Sequence, residues 1–264
     1  MLKPPLITLL TDFGLADHYV AAMKGVILGI CPQARLVDIS HEVRPYGIAE
    51  AAFTLGQAYP YFPAGTTHLV VVDPGVGSAR RPLLVQAQGH YFIGPDNGAL
   101  TLPMDRDPGH VIREITAAAY FRQPLSGTFH GRDIFAPVAA HLASGVPVAE
   151  FGTIVGDAVR LDLAPAKYGE DGVWLGRILY VDRFGNLVTN FRAADVPEIA
   201  EKRFKMVIGN TETSWYHPSY ASANQENIFI IKGSSGFIEV SINQGDAALA
   251  TGASAGTPVT LRLS

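Results

Sequence analysis

Three stretches in the first half of the chain are dominated by apolar residues over the length of a strand: LITLLT at 6–11, ARLVDI at 34–39 and THLVVVD at 67–73. Runs of this kind, without polar alternation, predict strands covered on both faces. Between them, HYVAAMKGVILGI (18–30) and IAEAAFTLGQAY (48–59) carry apolar residues at helical spacing, the first stopped by Cys31-Pro32. QAQGHYFIG (86–94) predicts a short hairpin, and DIFAPVAAHLASG a later helix with Pro137 as a kink. The alternation of strand and helix predicts an α/β N-terminal domain with a mainly parallel sheet flanked by helices. After residue 172 the pattern changes. VWLGRILYVD, LVTNF, FKMVIGNTETSW, NIFIIKG, FIEVSIN and TPVTLRL are strand-like runs separated by turn residues, with no helix of ordinary length among them. This predicts an all-β, barrel-like C-terminal domain. The expected domains are 1–163 and 172–264, with the polar, Gly- and Pro-bearing segment 164–171 as a linker.

Composition narrows the class. With 48% hydrophobic and 17% charged residues over 264 positions, the chain can bury a sizeable core. A formal charge of −4 without any Lys/Arg run gives no electrostatic footprint for nucleic acid. Cys31 is the single cysteine, so neither an intrachain disulfide nor a Cys-based zinc site can form, and a reducing interior is expected. The apolar run before Thr11 is too short for a signal segment or a membrane span, so the expected protein is cytoplasmic, with no membrane partner.

The candidate chemistry lies where strands end. In an open parallel sheet, ligands bind beyond the carboxyl ends of the strands. Asp12 follows the first strand and Asp73 the third. Asp12 can be a cap or turn residue before the helix near His18, or a carboxylate that accepts both hydroxyls of a ribose. The TDFG at 11–14 lacks the companion loops of a kinase. DPGVGSARR (73–81) lacks GK[ST] and is not GxGxxG, so phosphate binding is weakly supported. Asp73 and Arg80 can form a structural ion pair or half of a reaction centre. His130, in GTFHGRDIF, precedes a helical pattern at a strand-to-helix junction, in a chain whose other strand-end loops carry Asp and Arg, which makes it a catalytic candidate.

Taken in order, LLTDFG, VVVDPGVGSARR, GPDNGAL, TFHGRD, VDRFGNLVTN and KGSSGFIEVSINQGDAA closely resemble the S-adenosylmethionine hydrolases, or hydroxide adenosyltransferases, relatives of the fluorinase and chlorinase enzymes. The resemblance runs from about residue 6 to the last. It implies hydrolysis of S-adenosyl-L-methionine to adenosine and L-methionine, without a cofactor or metal, in a homotrimer whose sites lie between subunits. It implies a water-handling triad of Asp73, Arg80 and His130. By the same resemblance, Asp12 would hold the ribose hydroxyls and Tyr46 would pack against the ribose. Asp182 and Asn186 would contact the methionine amino group and the adenine, and Ser234 and Ser235 would lie near the methionine carboxylate. Ser235 stands where the halogenases carry arginine. Arg81 is expected at the surface. Two other readings remain: a 5′-halogenase, which would need a dehydrated halide pocket in place of the triad, and a protein that binds the same nucleoside without turning it over.

Overall fold

The computed structural model describes residues 4–225 and 227–264. It divides into two compact units, Met1–Leu161 and Asp162–Ser264.

The first unit is built on a seven-stranded sheet: β1 (Leu6–Thr11), β2 (Arg35–Ser40), β3 (Thr67–Val71), β4 (Pro82–Ala87), β5 (His90–Pro95), β6 (Val111–Glu114) and β7 (Ile154–Val155), in the order β2-β1-β3-β5-β4-β6-β7. The half from β2 to β5 is parallel, and β4, β6 and β7 pair antiparallel. The sheet is therefore mixed, with its parallel half carrying the first three strands read from the sequence. The antiparallel half follows from the tight β4–β5 hairpin, whose two turn residues, Gln88 and Gly89, both have positive φ. That backbone twist matches the twist of paired strands, and a turn this short forces the second strand to run back along the first.

Helices cover both faces. Ile7, Leu9, Leu69 and Val71 pack under α1 (Tyr19–Ile30) and α4 (Ala136–Ala143) through Met23, Ile27, Val138 and Leu142. Leu10, Val70 and Val72 point the other way, toward α2 (Ile48–Ala58) and α3 (Thr101–Asp105) through Ala51, Leu55 and Met104. Each fully buried aliphatic side chain contributes about 1.5–3 kcal/mol, so β1 and β3 anchor the loops that follow them. The second strand departs from its expectation of burial. It is the sheet's edge, and Val37 is exposed. Pro137 stands at the start of α4, directly after Gly131–Phe135, which form a π-helical turn, so the helical hydrogen-bond pattern changes where the proline has no N–H to donate.

The second unit holds β8 (Lys167–Tyr168), β9 (Val173–Val181), β10 (Leu187–Arg192), β11 (Phe204–Ile208), β12 (Thr211–Thr213), β13 (Phe229–Lys232), β14 (Phe237–Ser241) and β15 (Pro258–Leu263). All their pairings are antiparallel, in the order β12-β11-β15-β9-β10-β14-β13, with β8 on β9. Tyr216, just past β12, bridges Ile230 of β13, so the two ends of the sheet meet in a nearly closed barrel around Ile178, Met206, Phe191 and Val240. Segment 164–171 contains β8, and Ala166 donates its N–H to the Asn190 carbonyl at 3.1 Å. Among the described residues of this unit the one α-helix, α5 (Ala247–Thr251), has five residues and is capped by Asp246. Among the described residues no helix is long and apolar enough to cross a membrane.

Candidate active site

β1 and β3 are neighbours in register, with Thr11 opposite Val71, so Asp12 and Asp73 emerge at the same edge of the sheet. The loop after β3 then turns back on itself: Val76 N–H bonds the Asp73 carbonyl at 3.2 Å, and the Ser78 hydroxyl bonds the Gly75 carbonyl at 2.6 Å. This returns Arg80 onto Asp73. Its Nε lies 2.9 and 3.0 Å from the two carboxylate oxygens, and Nη2 also bonds Oδ2. The pair is shielded, with side chains 9% and 5% exposed, and the guanidinium lies 5.1 Å from the Phe135 ring centroid.

The same Nη2 lies 2.9 Å from His130 Nδ1. The structure thus joins the three residues of the expected triad in one hydrogen-bonded chain. A guanidinium has donors only, so Nδ1 must accept, and the neutral imidazole carries its proton on Nε2. Burial holds the His130 pKa below its ordinary value, assisted by the positive Arg80, while Asp73 and Asp133 pull it back up. Arg80 Nη1 is buried with no hydrogen-bond partner among the described residues. The cluster therefore offers two kinds of unused donor, Nη1–H and Nε2–H, beside a carboxylate. An oxygen atom with negative charge is the complement of that set.

Neighbouring groups fix this geometry. Gly77 has φ +77°, and a Cβ there would lie 2.3 Å from the Gly127 carbonyl, so the Arg80 loop touches the loop that leads to His130. Asp133, fully buried one turn beyond, accepts from Ser126 N–H at 2.8 Å and pairs with Arg132 at 2.6 Å. Arg81 is not a free surface residue. It pairs with buried Asp96 at 2.6 Å and with Asp157 at 2.7 Å, bracing the end of the loop. Asp12 does not cap α1, whose N-cap is His18; its Oδ2 accepts the N–H of Tyr46 at 2.8 Å. That bond holds Tyr46 at φ 66° with its ring exposed. A hollow of about 360 Å³, lined by Phe13, Tyr19, Thr128 and Phe129 among others, adjoins these loops.

In the second unit, Asp182 organises the β9–β10 turn. Its Oδ1 accepts from Phe184 and Asn186 N–H at 2.8 and 2.9 Å, and Oδ2 accepts the Asn186 side-chain amide at 2.8 Å. Asp182, Asn186 and Ser234 line one cavity of about 900 Å³, with Phe184, Glu239 and Asp246 among its other walls. Ser235 is not part of that lining; its hydroxyl lies 3.4 Å from Glu239. Glu239 and Tyr220 are cavity residues that the sequence does not single out, because a lone Glu in FIEVS reads as the outward side of an alternating strand. Among the described residues no three His, Cys, Asp or Glu side chains gather as a metal-binding group.

Residues 7–152 match the SAM hydroxide adenosyltransferase N-terminal domain and residues 176–260 the corresponding C-terminal domain. The chain is 38% identical to an (R)-S-adenosyl-L-methionine hydrolase of Thermus thermophilus, over 96% of this chain and 97% of the relative. A fluorinase of Actinoplanes is 29% identical over 73% of each. The crystal structure of a conserved protein from Thermotoga maritima superposes with a TM-score of 0.89 at 34% identity, covering 97% of this chain and 99% of that one. With both domains matched in order and the fold they require in place, the chain belongs to the SAM hydroxide adenosyltransferase family.

Proposed function

We propose that this protein hydrolyses S-adenosyl-L-methionine at C5′ of the ribose, giving adenosine, L-methionine and a proton. The observation that carries the proposal is the hydrogen-bonded chain Asp73–Arg80–His130, with its unused donors. The bond broken joins C5′ to a sulfonium, and sulfur leaves as a neutral thioether, so the leaving group needs no proton. What must be supplied is a nucleophile in line with that bond. Water becomes adequate when its conjugate base is stabilised, and Arg80 Nη1–H and His130 Nε2–H are suited to hold hydroxide, the proton that the water loses passing to solvent. In this account His130 donates rather than accepts: Nδ1 is occupied by Arg80 and Nε2 is already protonated. Asp73 holds Arg80 in place and offsets its charge.

Asp12 is assigned to the ribose hydroxyls through Oδ1, since Oδ2 is engaged by Tyr46, which would flank the sugar. Asp182 is assigned to the α-ammonium, Asn186 to the adenine, and Ser234 and Ser235 to the carboxylate end. The active assembly is taken to be a homotrimer acting without a cofactor. Cys31 is a free, buried thiol, the state a reducing compartment such as the cytoplasm preserves.

Incubation with S-adenosyl-L-methionine followed by chromatography is expected to give adenosine and methionine in equal amounts. His130→Ala and Arg80→Ala are expected to reduce turnover by about 10²–10³ each, as for loss of one donor to a developing anion. A 5′-halo-adenosine formed in halide buffer, or tight binding with no methionine release, would replace this reading.

A further inference from the structure

Glu239 is 8% exposed, yet it lines the 900 Å³ cavity. Its recorded partners are neutral hydroxyls, Tyr220 at 3.2 Å and Ser235 at 3.4 Å. No Lys, Arg or His among the described residues comes within ion-pairing distance of it. The carboxylate packs directly against the backbone of Gly233, where a Cβ would lie 1.8 Å from Oε1. A buried carboxylate without a cation is costly. Burial and the negative charge of Asp182 both hold the Glu239 pKa above its ordinary value, which also places the two carboxylates in each other's field. Asp182 spends three acceptor contacts on its own turn and retains acceptor capacity at Oδ2. The cavity wall thus carries two neighbouring carboxylates, one of them buried and supported only by hydroxyl groups, and a ligand cation would relieve both.

We propose that Glu239 is a substrate-positioning residue that receives the α-ammonium of the amino-acid end together with Asp182, so that this cavity selects for a primary ammonium group. This rests on the hydrolase reading, which supplies a ligand bearing that group. Tyr220 then acts through Glu239, orienting its carboxylate by donating to it.

The test measures kcat/KM of the full chain and of Glu239→Gln for S-adenosyl-L-methionine and for the analogue in which hydrogen replaces the α-amino group. Wild type is expected to prefer the natural substrate, and Glu239→Gln to lower that preference about 10- to 100-fold, the range for losing a hydrogen bond to a charged group, with the loss falling on the natural substrate and not on the analogue. An unchanged preference in Glu239→Gln overturns the inference, as does an equal loss on both substrates in a variant that melts like wild type. Should Glu239→Gln fail to fold, Tyr220→Phe replaces it: a several-fold fall in the preference supports the inference, and an unchanged preference overturns it. If wild type acts on neither compound, the hydrolase reading falls and this inference with it; if wild type acts and the preference survives substitution, this inference alone falls.

Discussion

Among single residues, the state of one imidazole decides the chemistry. His130 must be neutral for Nδ1 to accept from Arg80; protonation would put two donors face to face at 2.9 Å. Its pKa lies below the ordinary histidine value because of burial first and Arg80 second. The acid limb of kcat/KM is therefore expected at a midpoint below about 6.5, with activity present above it and lost as pH falls. In Arg80→Ala the cation is gone, so the His130 titration followed by NMR is expected to move upward; a downward move would contradict the arrangement. The pairing of Asp73 with Arg80 was legible in the sequence, since a glycine-rich turn after a buried strand returns the chain to its start. Arg81 was not. Its partners Asp96 and Asp157 lie 15 and 76 residues away, and only the sheet brings them together. Replacing Arg81 by Ala leaves Asp96 buried without its cation and is expected to lower unfolding stability by about 2 kcal/mol, measured by urea denaturation.

At the scale of elements, the site depends on two loops held in contact. Gly77 is a point of close approach between them, against the Gly127 carbonyl. Gly77→Ala would require both an unfavourable φ and displacement of the Gly127 carbonyl, so it is expected to cost about 1–3 kcal/mol of stability and to lower kcat more than tenfold; wild-type kcat would show that loop contact does not set the triad. Apolar runs identified β1, β3 and both long helices of the first unit, because burial on two faces leaves a continuous signature. The same signature at β2 belongs to an edge strand, which shows that hydropathy reports composition, not position in the sheet. Pro137 reads as a kink, and the sequence carries no sign of the π-helical turn that precedes it and has His130 at its start. Glu239 left no sequence signal, since an alternating strand does not say which side faces a cavity.

At the scale of the whole molecule, each unit has its own core and carries its own share of the assigned residues. The first contains a second histidine arrangement unrelated to the triad: His68 bonds Thr8 at 2.8 Å and His90 at 3.2 Å beneath Phe92. Burial, with the neighbouring His90, pushes the His68 pKa down to about 3. The fold thus favours the neutral ring, while the unfolded chain takes up a proton below about 6.5. Its contribution to stability is full above that pH and falls as pH drops from about 6.5 toward 3, at up to about 1.4 kcal/mol per pH unit. Urea midpoints measured across this window are expected to fall less steeply in His68→Gln than in wild type. Sedimentation equilibrium is expected to give three times the 28.2 kDa of one chain; a monomer at micromolar concentration would contradict the proposed assembly.

In the proposed reaction an oxygen from solvent attacks C5′ of the ribose. Turnover in H₂¹⁸O, with the products separated and examined by mass spectrometry, reads that step directly. One ¹⁸O is expected in the 5′-hydroxyl of adenosine and none in methionine. Methylthioadenosine as the nucleoside product, or adenosine without the label, would contradict it.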